Sequence, residues 1–88
     1  RYALPDIEGD IFTLDLPQGA VVLSTGVIHR QPVLWATADP AQPLQPRTFL
    51  QLRTGRHTDH DESALRFIGT YVTGGDLPWV FHVFEVTK

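Results

Sequence analysis

Four arginines, Arg30, Arg47, Arg53 and Arg56, fall in or beside segments that read as turns. A guanidinium fork takes a carboxylate or phosphate through two parallel hydrogen bonds. If those turns meet at one end of a sheet, the four would form an anion site suited to a phosphate or a nucleotide. Trp35 and Tyr71 lie on apolar, strand-like stretches and could stack on a base or another flat ring. These six are the candidate ligand-binding residues. Each has a plainer reading. Six of the seven cations are Arg and only Lys88 is Lys, which a compositional bias would also produce. Trp35 alternates with Val33 and Thr37, the pattern of a packing residue.

Other reactive side chains do not assemble into a set. His57, Asp59, His60, Asp61 and Glu62 cluster metal-ligand types in one loop. Two histidines three apart are a weak signal, and a solvated polar loop is the commoner outcome. His82 stands mid-strand between Phe81 and Val83, where a hydrogen bond to a neighbouring strand is the usual role. Asp15, Asp39 and Glu85 are carboxylates that nothing in the sequence pairs, and Asp39-Pro40 is a turn starter. Ser24 and Ser63 lie in no Gly-x-Ser-x-Gly elbow. Gly74-Gly75 lacks the following helix that a phosphate loop needs. No catalytic residue, metal site or cofactor is therefore assigned, and the reading goes against an enzyme.

Composition narrows the classes further. A chain of 88 residues makes one domain, 1–88, with a modest core. There is no Cys, which excludes disulfides and thiolate chemistry. The net charge of −3 is the wrong sign for gripping duplex nucleic acid by its phosphates. No apolar run approaches the ~18 residues of a membrane-spanning helix, and no signal-peptide pattern follows Arg1.

The elements that must carry these residues read as short strands. The strongest is Leu77 to Val86, with Trp79, Phe81 and Val83 on one face and Val80, His82, Phe84 and Val86 on the other. Both faces are apolar, so it is expected to be an inner strand covered on both sides. Ala20 to Ile28 is a second strand, with Val21, Leu23, Thr25 and Val27 sharing a face; Gly26 marks a bulge or a close approach. A hairpin-sized connection at 29–32 leads into Val33 to Ala38, expected antiparallel to it. Asp39 to Pro46 holds three prolines and is expected to be a surface crossing between sheets, not an inner strand. Thr48 to Arg53 and Phe67 to Thr73 alternate as strands, the latter with Phe67, Gly69 and Tyr71 on one side. Asp61 is a candidate N-cap for one helical turn near Ala64 to Arg66. Ile11 to Leu16 is a sixth strand and Arg1 to Leu4 a short seventh. Turn signals every ~8–12 residues predict an all-β domain, an antiparallel six- to seven-stranded sandwich or small barrel with at most one short helical turn.

The motifs Leu-Pro-Gln-Gly-Ala at 16–20, Gln-Pro-Val-Leu-Trp-Ala at 31–36, Arg47-Thr48-Phe49, Phe67-Ile68-Gly69-Thr70 and Val80-Phe81-His82-Val83-Phe84-Glu85 run in order through nearly the whole chain. In this the chain resembles a family of small bacteriophage and prophage proteins, a domain of unknown function of the DUF7352 type. The chain departs from the family at Arg53-Thr54-Gly55-Arg56-His57, where members often read Gly-Thr-Gly-His. The resemblance implies a phage or bacterial context, hence the bacterial cytoplasm, and no reaction. Together with the absence of a catalytic set, it leads to a non-catalytic binding protein. Such a protein would act by occluding a host defence protein or by sequestering a small anionic ligand such as a nucleotide. The alternative is a minor virion or tail component, or a purely structural oligomer. An open sheet edge in so small a domain also leads us to expect a homodimer or higher oligomer.

Overall fold

A computed structural model describes residues 1–5, 11–55, 58–74 and 78–87. Among the described residues seven strands occur in chain order: β1 (Tyr2–Ala3), β2 (Ile11–Pro17), β3 (Val21–Ile28), β4 (Gln31–Thr37), β5 (Leu44–Arg53), β6 (Leu65–Val72) and β7 (Val80–Val86). A 3-10 turn at Glu62–Ala64 precedes β6, and Asp61 caps it by accepting a hydrogen bond from the Ser63 amide at 3.0 Å. All pairings are antiparallel. One sheet has the order β1-β4-β3 and the other β2-β5-β7-β6. The two pack face to face as a sandwich, and no closed barrel forms. The core between them contains Leu4, Phe12, Leu16, Ala20, Val22, Leu34, Phe49, Tyr71 and Val83.

β7 is an inner strand, as its two-sided apolar pattern requires, but its faces are covered unequally. Val83 and Glu85 point into the sandwich and are buried; His82, Phe84 and Val86, on the outward side, are only half-buried. It begins at Val80, so Trp79 stands outside the strand and is 50% exposed; Leu77 lies outside the described residues.

Two β-bulges change the faces that strict alternation predicts. In β3 the register shifts between Val22 and Ser24. Val22 therefore faces the core, while Val21 and Leu23 are left 54% and 57% exposed. In β6 the shift falls between Phe67 and Gly69. Ile68 turns to the core, and Phe67 pairs with outward-facing Phe84, leaving Phe67 57% exposed instead of sharing a side with Tyr71. These two strands face each other at one side of the sandwich. A Cβ on Gly69 would lie 3.1 Å from the Thr25 methyl, so the absence of a side chain there lets them approach. A bulge adds local twist and bends its strand, which brings the edges of the two sheets together at β3 and β6.

Gly26 is a close approach, not a bulge. A Cβ there would come within 2.7 Å of the Trp35 ring, which lies over it from the paired strand. The prolines also sit differently from expectation. The 39–46 segment does cross between sheets, but Leu44 to Pro46 already belong to β5, and Pro32 belongs to β4. The register explains the first of these. The Gln18 amide donates to the Pro43 carbonyl at 2.8 Å, one step beyond the Pro17–Leu44 pair. Bonded and non-bonded pairs alternate in an antiparallel ladder. Pro46, opposite Asp15, thus falls at a non-bonded position towards β2, and β7 pairs with β5 only from Phe49 onward. No N–H is missed.

The β3–β4 connection is a two-residue turn, His29-Arg30, with φ of 49° and 67°. Both residues are left-handed, the conformation that matches the twist of a hairpin and that favours Asn-Gly. An L side chain pays roughly 1–2 kcal/mol there. Replacing Arg30 by Gly relieves this, less the extra freedom of glycine in the unfolded chain. The expected net gain of about 0.5–1 kcal/mol raises Tm by about 2–8 °C, measurable by calorimetry; an unchanged or lower Tm would contradict the turn geometry. Gly26→Ala is expected to lose about 1–3 kcal/mol by overpacking against Trp35, and less when combined with Trp35→Leu.

Candidate functional site

The strand directions define two ends of the sandwich. Leu14, Arg47, Glu85 and Arg66 lie towards one end; Gln51, Arg53, Phe81 and Tyr71 lie towards the other. β3 runs alongside β6 in the same sense, with Val22 near Arg66 and Thr25 near Gly69. The His29-Arg30 turn therefore belongs to the same end as Arg53.

At the first end is an ion cluster. Glu85, 8% exposed, faces the core from β7. Arg47 on β5 grips its carboxylate with two bonds, Nε to Oε2 at 2.7 Å and Nη2 to Oε1 at 2.8 Å. Nη1 of Arg47 donates to the Ala20 carbonyl on the approach to β3. Arg66 on β6 brings Nη1 within 3.7 Å of Oε1 and donates from Nη2 to the Val22 carbonyl at 3.3 Å, beside the β3 bulge. The hydrogen bond to Glu85 raises the Arg47 pKa above its ordinary value, against the opposing effect of burial.

At the second end, Arg53 and Tyr71 both lie opposite Phe81 on the inward face. The Tyr71 and Phe81 rings stack with centroids 5.2 Å apart. The Tyr71 hydroxyl donates to Oε1 of Gln51, which is 1% exposed and donates in turn to the Pro5 carbonyl at 2.9 Å. The Arg53 guanidinium carbon sits 4.3 Å from the centroid of the Trp79 ring. Trp79 is held by its amide, which donates to the Thr73 hydroxyl at 3.0 Å.

Of the six ligand candidates, Arg53 and Tyr71 come together around Phe81. Arg30 shares their end on the other sheet, exposed at the tip of its turn. Arg47 lies at the opposite end in the Glu85 cluster. Trp35 covers Gly26 on the outward face of the three-stranded sheet. Arg56 lies outside the described residues, as does His57. Sequence reasoning missed Trp79 and Phe81 as neighbours of Arg53, and Glu85 as the partner of Arg47. Glu85 alternates with Phe81 and Val83 on the inward face, and a carboxylate in that phase needs a cation.

Three further groups that the sequence singles out, His82, His60 and Asp39, have structural partners. His82 is bonded through both ring nitrogens, Nε2 with the Thr54 hydroxyl and Nδ1 with the Thr70 hydroxyl, each at 2.8 Å. His60 Nδ1 bonds the Thr58 hydroxyl at 3.2 Å. The Asp39 carboxylate accepts from the Ala41 amide at 3.0 Å, the turn its Asp-Pro sequence predicts. Among the described residues no three His, Asp or Glu side chains group as metal ligands would, and no helix is long and apolar enough to cross a membrane.

The outward face of the four-stranded sheet is unusual in another way. On β6 and β7 it presents Leu65, Phe67, Thr70 and Val72 beside Val80, His82, Phe84 and Val86, with no charged side chain. Phe67 and Val72 are 57% and 51% exposed, and Phe67 meets Phe84 edge-on with centroids 5.6 Å apart.

A family model for a domain of unknown function, DUF7352, matches residues 1–88, so the chain belongs to that family. No curated protein and no solved structure shows significant similarity to it.

Removing the buried carboxylate leaves Arg47 uncompensated across the sheets. Glu85→Ala is expected to cost about 3–5 kcal/mol in denaturant unfolding, whereas Asp59→Ala, at an exposed position, stays within about 0.5 kcal/mol. Equal costs would contradict the role given to the cluster.

Proposed function

We propose that this member of the DUF7352 family is a non-catalytic protein-binding domain, phage- or prophage-encoded, that acts in the bacterial cytoplasm by occluding a host protein. The observation that carries this reading is the uncharged outward face of β6 and β7. Sheets that face water on one side normally alternate apolar-in with polar-out. Here the outward positions are apolar apart from Thr70 and His82, which are bonded to each other, and Phe67 and Val72 are more than half exposed. Aromatic anchors on an apolar centre with a polar rim are the usual composition of a protein contact. The partner is expected to offer a similarly uncharged, apolar surface. A counter-defence inhibitor is the class of protein that such a surface and a phage setting fit together.

A second reading is favoured by a different observation. Trp79, 50% exposed, stands beside Arg53 at the end shared with exposed Arg30, and an exposed indole there can stack on the base of a small anionic ligand such as a nucleotide.

The test compares wild type with Phe67→Asp, which gives up the Phe84 contact at a cost of about 1–2 kcal/mol, with circular dichroism to confirm that the variant is folded at the assay temperature. The partner captured from host extract is identified by mass spectrometry, purified, and titrated against both proteins by calorimetry. Binding by wild type, weakened about tenfold or more in Phe67→Asp, is expected for an apolar hot spot. Equal binding by both would overturn the face. A melting shift with a nucleotide panel, abolished by Trp79→Ala, would favour the second reading instead. Copurification with assembled particles would favour a virion component.

A further inference from the structure

The sheet edges differ in how they are closed. β6 and β3 cover one another at the bulged side. β1 is only two residues long. β2 is a seven-residue strand at the edge of the larger sheet, and among the described residues no strand pairs with its outer side. Of the usual protections of an edge it carries one exposed charge, Asp15, and a proline at its last residue, Pro17; it has no lysine and no bulge.

The register fixes which backbone groups that edge presents. Gln18 is bonded to Pro43, so Leu16, Leu14 and Phe12 are the residues bonded to β5. Thr13 and Asp15 must then direct their N–H and C=O groups away from the sheet. Pro17, which has no N–H to offer, occupies the last outward position. The side chains alternate with equal regularity. Phe12 and Leu16 are buried and Leu14 half-buried on the inward side, while Thr13 and Asp15 are exposed on the outward side.

We infer that β2 is a self-pairing edge, and that two copies of the chain join through it about a two-fold axis at Leu14, antiparallel, into one eight-stranded sheet. In that register Thr13 lies opposite Asp15 of the second copy, and Asp15 opposite its Thr13. Each of these pairs exchanges two backbone hydrogen bonds, which satisfies all four outward groups of Thr13 and Asp15 in each copy. Beside the backbone, each Thr13 hydroxyl faces a carboxylate it can donate to. On the inward side Leu14 meets Leu14, and Phe12 meets Leu16 of the mate, so the two cores run together across the junction. Slipping by two residues in one direction sets Asp15 against Asp15, a like-charge pair that destabilises a ladder. Slipping in the other direction sets Thr13 against Thr13 and leaves Asp15 facing Ile11, and either slip shortens the overlap. The partner this edge fits best is therefore another copy of itself, and the contact is separate from the outward face of β6 and β7.

The experiment is sedimentation equilibrium at micromolar to submillimolar concentration, with circular dichroism to confirm folding. Wild type is expected to approach twice the 9.9 kDa of the chain. Thr13→Pro deletes an outward N–H without touching the β2–β5 bonds and is expected to be monomeric. Should Thr13→Pro fold poorly, a charge pair gives the same answer. Thr13→Asp places like charges opposite Asp15 of the mate twice over and weakens the dimer about tenfold or more, while Thr13→Lys places opposite charges there and strengthens it several-fold. A monomeric wild type would overturn the inference. So would a dimer indifferent to the sign of the charge at position 13.

Discussion

The carboxylate of Glu85 is the point on which the two sheets depend. It enters the sandwich on an inner strand, among Val83 and Phe49, where an unpaired charge would be costly. Arg47 meets it with two short bonds and Arg66 stands beside it. The two arginines then use their remaining donors on the carbonyls of Ala20 and Val22, which belong to the opposite side of the fold. One anion thereby ties β5, β6 and β7 to the start of β3. Buried ion pairs are not generally better than apolar packing for stability. This one has a second task. The bulge in β3 interrupts the ladder beside Val22, and an apolar replacement for Arg66 would offer that carbonyl no donor.

The bulges and the cluster belong together. β3 and β6 approach with glycine at the contact, and each carries its irregularity within two or three residues of it. Opposite, the sandwich ends in β1 and β2, where no comparable ion cluster draws the sheets together among the described residues. The asymmetry leaves one closed side, one open edge and one outward face that stays apolar. His82 lies on that face, with a threonine hydroxyl on each ring nitrogen.

Much of the architecture was legible in the residues. The strand count, the antiparallel hairpin from Ala20 to Ala38, the Asp61 cap and the inner position of the last strand follow from period-two patterning and turn chemistry. What was not legible has a common cause. A bulge adds one residue and flips every side chain beyond it, so strict alternation groups Leu23 with Val27 and Phe67 with Tyr71, pairs that do not share a face. Pro46 reads as a strand breaker until the phase of the ladder is known, and that phase is set by a bond between Gln18 and Pro43. The candidate site was less legible. An arginine beside a turn looks the same whether it meets a ligand or a carboxylate 38 residues away, as Arg47 does. Arg53 meets Trp79 only because a hairpin returns the chain there.

The most direct test of this account is a double-mutant cycle between Arg47→Met and Glu85→Gln, read by denaturant unfolding. If the pair holds the sheets together as a unit, the coupling between the two positions will be about 2 kcal/mol or more, within the range for residues of one buried network. Free energies that add to within about 0.5 kcal/mol, as for distant independent sites, would show that the sandwich is closed by something else.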